Sequence, residues 1–264
     1  MSCFGALISF VIYIGFLQQN LVSSWQNVNH AKQLLDLWML GGIVSIAGIT
    51  TSFQAWGQLV KDKESHAIDD MKLTTLTPIS ENMAYVVTAA LVSFLMQIIT
   101  FAVMTIHFSL IDQANIVSSA YLPCLGFMAL GAVGATLLNL IIVMFINSST
   151  TFSRLSAVIG AATGFMVATY MPYGTLSKTA QNIVKLFPSS YEAASFRSLL
   201  LNKLSQQDVP TKMCGQLIEY LGIHFKFGSY RLNNFDNALV MIGMTVVLTI
   251  IVVVLALLLN RKKK

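Results

Sequence analysis

Two long apolar runs without a single Asp, Glu, Lys or Arg constrain this chain more than any other feature. They extend from Leu37 to Val60 and from Met83 to Ile106, and each exceeds the roughly 20 residues with which a helix crosses a hydrocarbon core about 30 Å thick. Only 10% of the residues are charged and 55% are hydrophobic, whereas soluble domains are about 25% charged. Because the runs do not alternate as the strands of a β-barrel do, they predict an all-α integral membrane protein.

Apolar runs of this kind predict one transmembrane domain over residues 1–264 with six spanning helices. The first run has no basic residue before it and no small-residue cleavage site after it, so we expect an uncleaved helix and not a signal peptide. Amphipathic spacing after the fifth run, broken at Pro188, predicts two short helices at the membrane surface. The predicted spans are residues 3–17, 37–60, 83–106, 121–146, 152–171 and 238–259, with a polar loop at 61–82 and a long polar region at 172–237.

Basic residues in the short loops predict the orientation. The 61–82 loop carries three Lys, and Arg154 and the tail from Arg261 to Lys264 fall on the same side. Short cytoplasmic loops are enriched in Lys and Arg, so we expect a multi-pass protein of a bacterial cell membrane with both termini in the cytoplasm. The region 172–237 is then outside. The formal net charge of +5 is accounted for largely by the tail, and no basic patch with interleaved aromatic residues predicts nucleic-acid binding.

The predicted spans hold no Asp, Glu, Lys or Arg in their interiors. Ion-coupled pumps and secondary transporters usually keep such a group within the membrane, so we expect the energy for any transport to come from another subunit. Catalytic motifs such as HExxH, the P-loop and GxSxG are also missing, and the four histidines form no pair at metal-ligand spacing. We therefore expect a chain that is not an enzyme and binds neither a metal nor a cofactor itself.

Some polar and small residues within the spans are candidates for a transport path. Polar side chains in spans more often form hydrogen bonds between helices than bind a substrate. The fifth span repeats small residues every four positions, and such a stripe serves either packing within one subunit or contact with a partner helix across the path. Cys124 and Cys214 are both predicted near the outer face, and the sequence leaves open whether they form a disulfide or stay free. The candidate path residues are Gln54, Gln97, Asn139, Gly160 and Gly164.

The charged segment from Lys61 to Glu81 is the candidate site for contact with a partner. It holds three Lys and five Asp or Glu. On a helix, Glu64, Ile68 and Met71 fall on or near one face, which predicts a short amphipathic helix that presses into a partner protein. The alternative is a solvated loop whose charges only keep it in the cytoplasm.

Two stretches resemble the permease subunits of ABC-2 type transporters. In residues 63–80, a basic-acidic pair is followed by Leu76 and then by Thr-Pro-Ile-Ser before the third span. In the second stretch, Pro172 ends the fifth helix, and Pro188 with Tyr191 close behind precedes an external helix that contains Arg197. Together with the six-span order, the resemblance covers nearly the whole chain.

The resemblance implies two permease subunits facing each other above two ABC ATPase subunits, which bind the ATP and Mg²⁺. It implies that the 61–80 loop is a coupling helix seated on the ATPase. Two departures are the replacement of the usual Gly-Thr of this loop by His66-Ala67 and the lack of the family's amphipathic helix before the first span. The candidate coupling residues are Glu64, Ile68, Asp69, Met71 and Leu73.

These observations predict the permease subunit of an ATP-driven exporter. It is expected to act as a homodimer in contact with membrane lipid and to move a hydrophobic or amphipathic compound, such as a drug, peptide or lipid, outward by alternating access. Two alternatives remain at this point. One is an accessory or immunity-type membrane protein that binds a partner without transport, and the other is an integral membrane enzyme.

Overall fold

A central helix wrapped by the other helices organises the structure. The computed structural model describes residues 11, 13–18, 31–71, 78–114, 116–201, 218–228 and 230–261, most of which are helical. Within these ranges the helices are α1 (Ala31–Ala55), α2 (Gly57–Glu64), α3 (Ala67–Met71), α4 (Pro78–Ile111), α5 (Ser118–Val143), α6 (Ser149–Met166), α7 (Lys178–Val184), α8 (Pro188–Leu201) and α9 (Asn234–Arg261).

Three shorter elements complete these ranges. Tyr13–Leu17 is a π-helical segment and Tyr173–Thr175 is a single turn of 3-10 helix. The strands β1 (Lys226–Phe227) and β2 (Tyr230–Arg231) form an antiparallel hairpin, in which Lys226 lies opposite Arg231. The hairpin lies near the end of α1 that carries Trp38, and we call this the Trp38 end. The opposite end, at α2 and α3, is called the α2 end.

The chain has four helices that are long and apolar enough to cross a membrane. They are α1 continued by α2, most of α4, α5, and α9. This confirms a mostly helical chain with several apolar helices compatible with a transmembrane protein, while the arrangement of six spans stays a prediction. The first predicted span, 3–17, lies mostly outside the described residues. The fifth corresponds to α6, which has 18 residues and is less apolar than the other four because Ser, Thr and Arg154 occupy its first two turns.

The helices differ from the predicted spans mainly at their ends. The helix of the second predicted span begins at Ala31 and not at Leu37, so Asp36 lies inside the helix. The Asp36 carboxylate is buried there because it accepts hydrogen bonds from the Tyr13 hydroxyl at 2.7 Å and from the Gln18 amide at 2.8 Å. The helix of the third predicted span extends from Pro78 to Ile111 and not from 83 to 106. Apolar composition alone does not show where a helix continues beyond the hydrocarbon region.

Helix α1 is buried around almost its whole circumference, because α4, α5, α6 and α8 all pack against it. Small residues allow this close approach. A Cβ atom added at Gly41 would lie 2.8 Å from the Cβ atom of Phe196 on α8. A Cβ added at Gly42 would overlap the side chain of Thr169, and one at Gly48 would overlap Gln97. These glycines are therefore needed for packing against three different neighbours.

Helix α8 lies inside the bundle, which contradicts the prediction of two short helices at the membrane surface. It is enclosed by α1, α5 and α9, and most of its side chains are buried. Its N-terminal Pro188 contacts the position of Gly134 on α5. The surface prediction failed because amphipathic spacing reports that one face is buried without reporting what buries it. Helix α7, in contrast, keeps most of its residues at least partly exposed.

Loops close the Trp38 end of the bundle. The Trp38 indole N–H donates a hydrogen bond to the Leu221 carbonyl at 2.7 Å, and Phe225 contacts the rings of Tyr173 and Tyr191 edge-on. Burial and the nearby Arg231 lower the pKa of His224 below its usual value. Its Nδ1 lies 2.8 Å from the Leu232 carbonyl, which can only accept, so Nδ1 carries the proton and fixes the loop before α9.

We expect Gly41→Ala to destabilise the bundle, because the new methyl group meets the Cβ atom of Phe196, which cannot move without its backbone. Overpacking of this kind costs about 1–3 kcal/mol. Gly243→Ala on α9 is the matched control, since a Cβ there meets nothing within 4 Å. Both changes gain similar helix propensity. Thermal unfolding in detergent should show a lower midpoint for the first variant only. Equal midpoints would contradict the close packing of α1 and α8.

Candidate functional site

The α2 end holds a group of charged side chains that tie four helices together. The Asp62 carboxylate on α2 accepts a hydrogen bond from the Tyr85 hydroxyl of α4 at 2.6 Å. The Lys63 ammonium donates to the Val143 carbonyl at the end of α5 at 3.4 Å, and the Glu64 carboxylate accepts from the Ser149 N–H of α6 at 3.1 Å. We call these contacts the α2 junction.

The charges of the α2 junction match the dipoles of the helices that they touch. Glu64 meets the N-terminus of α6, where backbone N–H groups lack helical partners and negative charge is favoured. Lys63 meets the C-terminus of α5, where positive charge is favoured. At helix ends exposed to solvent, such contacts are screened by water and contribute modestly to stability. Through these contacts α2 is bonded to α4, α5 and α6 at once.

Helix α3 projects beyond the junction as a short separate helix. It follows a turn in which His66 has a φ of 62°, a left-handed conformation that glycine adopts without strain. Ile68 is half-buried and packs against the core cluster that contains Phe53 and Trp56, while Asp70 is exposed. The helix is therefore anchored by its own bundle and still presents charge to solution.

The structure places the predicted coupling residues in three different settings. Glu64 belongs to the α2 junction, and Ile68 anchors α3. Asp69 and Met71 lie within α3, but their side chains are outside the described part of the structure, as is Leu73 altogether. Asp62 and Lys63 were not selected from the sequence. Their partners, Tyr85 and the Val143 carbonyl, lie 23 and 80 residues away in the chain, and spacing along the sequence cannot show them.

Polar side chains line the side of α1 that faces α4 and α5. The Asn139 amide donates to the Ile49 carbonyl at 2.9 Å and to the Ser52 hydroxyl at 2.7 Å. One residue nearer the Trp38 end, the Gly48 carbonyl accepts a hydrogen bond from the Ser93 hydroxyl at 2.8 Å. These bonds hold α4 and α5 to α1 in an apolar environment, where an unpaired polar group is costly. Asn139 therefore has a structural role in the conformation described.

A fully buried carboxylate, Glu192 of α8, lies next to this polar side of α1. The Gln97 amide, oriented so that its groups find partners, donates to Glu192 Oε1 at 2.8 Å and to the Met128 carbonyl at 3.3 Å. The Ser45 hydroxyl, which donates to the Gly41 carbonyl at 3.1 Å, lies near the same carboxyl group. A side chain at Gly131 would overlap the carboxyl, so glycine at this position makes room for it. The second oxygen, Oε2, has no hydrogen-bond partner.

A fully buried arginine, Arg197, lies further along α8 and binds backbone carbonyls. Its guanidinium donates to the carbonyls of Ala168 at 3.0 Å and of Val167 at 3.4 Å, just after the end of α6. It also donates to the Trp38 carbonyl at 3.4 Å and lies 4.8 Å from the centre of the Trp38 ring. Cations are favoured at helix C-termini. Arg197 therefore joins α8 to the end of α6 and to α1.

The five predicted path residues are divided among separate places. Gln97 and Asn139 are buried against α1. Gln54 is exposed and bonds the Ser156 hydroxyl on α6. A side chain at Gly164 would overlap the Tyr170 ring of the same chain, whereas Gly160 has open space beside it. Packing within the chain thus accounts for Gly164, and Gly160 alone of the two is open to a neighbour.

Glu192 and Arg197 were missed because the sequence placed them in an external loop. Their burial within the bundle contradicts the expectation that no ionisable group lies there, so the lack of such a group no longer argues that the energy for transport comes from another subunit. The usable signal was the composition of α8, in which Ser189, Ser190, Ala193, Ala194 and Ser195 are all small. Small residues allow helices to approach closely within a membrane bundle. A segment with so many of them around one acidic and one basic residue is typical of a packed helix and not of a helix at the surface.

Comparisons with known proteins give no relative. No family model, no curated protein and no solved structure matches the chain. Among the described residues, no three His, Cys, Asp or Glu side chains are grouped as metal ligands would be, and Cys124 is a buried free thiol. Cys214 lies outside the described residues. The function is therefore inferred from the residues of this chain alone.

We expect Arg197→Lys to destabilise the protein although the charge is kept. A lysine ammonium cannot reproduce the planar fork that reaches carbonyls of two chain segments, and each buried carbonyl left unpaired costs about 1–3 kcal/mol. Arg154→Lys, at an exposed position of α6, is the control. The thermal midpoint in detergent should fall only for the α8 variant. An unchanged midpoint would show that Arg197 does not hold α6 and α8 together.

Proposed function

We propose that this chain is the permease subunit of an ATP-driven exporter of the ABC-2 type, and that α2 and α3 receive force from a separate ATPase on the cytoplasmic side. The observation that carries the proposal is the α2 junction. A short charged helix projects from the bundle, and the segment before it is bonded to α4, α5 and α6 while continuing directly from α1. This is the connection that an externally driven permease needs.

The continuity of α1 and α2 supports the transmission of force into the bundle. A single turn at Trp56 separates them, and the Trp56 N–H still bonds the carbonyls of Ser52 at 3.3 Å and Phe53 at 3.1 Å. The Trp56 indole donates to the Thr136 carbonyl of α5 at 3.1 Å. A push on α3 would thus reach α1 along its axis and α5 from the side. The bundle would then change between two discrete packing arrangements, as packed helices do in domain-level transitions.

The outer surfaces of α4 and α9 support an assembly of two permease chains within lipid. Only 6% of the apolar stretch of α9 and 22% of that of α4 is buried within the chain. Both surfaces are covered by Val, Leu and Ile side chains, which suit either lipid or a second copy. The apolar stretch of α1, in contrast, is entirely buried within the chain. In this proposal the dimer contact and the lipid contact are shared between α4 and α9.

We expect Asp70→Arg to weaken association with the ATPase at least tenfold, because Asp70 is an exposed charge on the projecting helix. Lys178→Glu, an exposed charge reversal on α7, should leave association unchanged. The measurement is recovery of the complex after co-expression of the permease with its ATPase and purification in detergent. Both variants should insert into the membrane normally. Full recovery of the complex with Asp70→Arg would contradict the coupling role of α3.

The orientation predicts that the two ends of the bundle face opposite sides of the membrane. With the native cysteines replaced by alanine, Asp70→Cys should react with a membrane-impermeant maleimide only after the cells are permeabilised. Lys226→Cys, in the hairpin at the Trp38 end, should react in intact cells. Reaction of both from the same side would refute the proposed topology and, with it, access of a cytoplasmic ATPase to α3.

A further inference from the structure

The position of Glu192 within the bundle is unusual for an acidic side chain. Its partner Gln97 lies in the middle of α4, and Gly131 lies in the middle of α5. At a rise of 1.5 Å per residue, about 20 Å of helix extends beyond this level in each direction. Since the hydrocarbon core is about 30 Å thick, the carboxyl group lies near the midplane of the spans.

No described residue places a charged group against this carboxyl. Helix α1 contributes Ser45, α4 contributes Gln97, and α5 contributes the Met128 carbonyl and Gly131. From α9, the Asn237 amide donates to Ser195 of α8, and Thr245 lies near Gly134, beside the start of α8. All these groups are neutral.

Arg197 does not neutralise Glu192 either, although both are on α8. Residues five positions apart on a helix point about 140° away from each other. The Arg197 guanidinium is occupied by the carbonyls of Trp38, Val167 and Ala168. An ionised Glu192 would thus be an isolated charge in a low-dielectric interior, and a buried group in this situation neutralises instead.

The groups around Glu192 suit the binding of a proton and not of a metal ion. Hard cations take six or more oxygen ligands, but Gln97 turns its NH₂ group, a hydrogen-bond donor, toward the carboxyl. Only the Ser45 hydroxyl adds another oxygen at the carboxyl itself. Oε1 accepts the amide hydrogen bond, and Oε2, which has no partner, is the atom left to carry a proton.

We propose that Glu192 is a proton-binding site of this protein. In the conformation described, the carboxyl is neutral, with the proton on Oε2 and the carbonyl oxygen Oε1 bonded to Gln97. When α8 separates from α1 and α5 and water reaches the site, the Oε2–H bond breaks, the proton passes to water and a hydrated carboxylate remains. Closing of the bundle takes one proton back from water. The proposal concerns this chain alone and does not depend on an ATPase.

Infrared spectroscopy of the full-length protein in lipid nanodiscs at neutral pH tests the proposal. A protonated carboxylic acid has a carbonyl stretching band above the amide I band, which an ionised carboxylate lacks. Glu192→Gln should remove the intensity of one protonated carboxyl. Glu219→Gln is the matched control, because Glu219 is exposed and paired with Lys226, and it should leave the band unchanged.

A second variant keeps the test decisive if Glu192→Gln does not assemble. Gln97→Leu removes the hydrogen bond to Oε1 and should move the band to higher frequency without removing it. In D₂O the wild-type band should shift to lower frequency as O–H becomes O–D, because the site opens to water. The protonated state would be overturned if Glu192→Gln left the spectrum unchanged or if Gln97→Leu left the band at its wild-type frequency. Release of the proton would be overturned if the wild-type band did not shift in D₂O.

Discussion

The structure depends on one constraint, which is that polar groups within the bundle must find partners because lipid offers none. Helix α1 shows how this is met. Its carbonyls at Ile49 and Gly48 accept bonds from Asn139 and Ser93, and that of Trp38 accepts one from Arg197. Each bond also fixes a neighbouring helix in position. Satisfying the polar groups and defining the packing are therefore achieved by the same side chains.

Charge is used differently at the α2 end, where water is available. There, Lys63 and Glu64 contact the ends of α5 and α6 and gain modest energies. Exposed contacts of this size can break and reform during a conformational change, whereas the buried bonds of Arg197 cannot do so cheaply. The Arg197 end of α8 is thus held tightly, whereas the contacts near α2 can be rearranged at lower cost.

Much of the membrane architecture could be predicted from the sequence, because long apolar runs without charge are rare outside membrane-spanning helices. The runs at 37–60, 83–106, 121–146 and 238–259 all correspond to helices, with ends displaced by several residues. The depth of α8 could not be predicted in the same way. Glu192 and Arg197 lower the mean hydropathy of the segment, and only their partners, Gln97 and the carbonyls beside Ala168, show why they are buried. Such partners are distant in the chain and leave no local pattern.

The enclosure of α1 bears on how the protein is made. Trp38 is joined to Arg197, 159 residues later, and to Leu221, 183 residues later. When α1 emerges from the ribosome, none of the segments that cover its small residues has been synthesised, and α8, which covers Gly41, is the last of them to be made. Helix α1 must therefore wait in the membrane with its glycines and serines facing lipid or an insertion factor. Completion of the bundle is accordingly a late event in biogenesis, and a chain truncated before α8 would leave α1 as a ready substrate for membrane quality control.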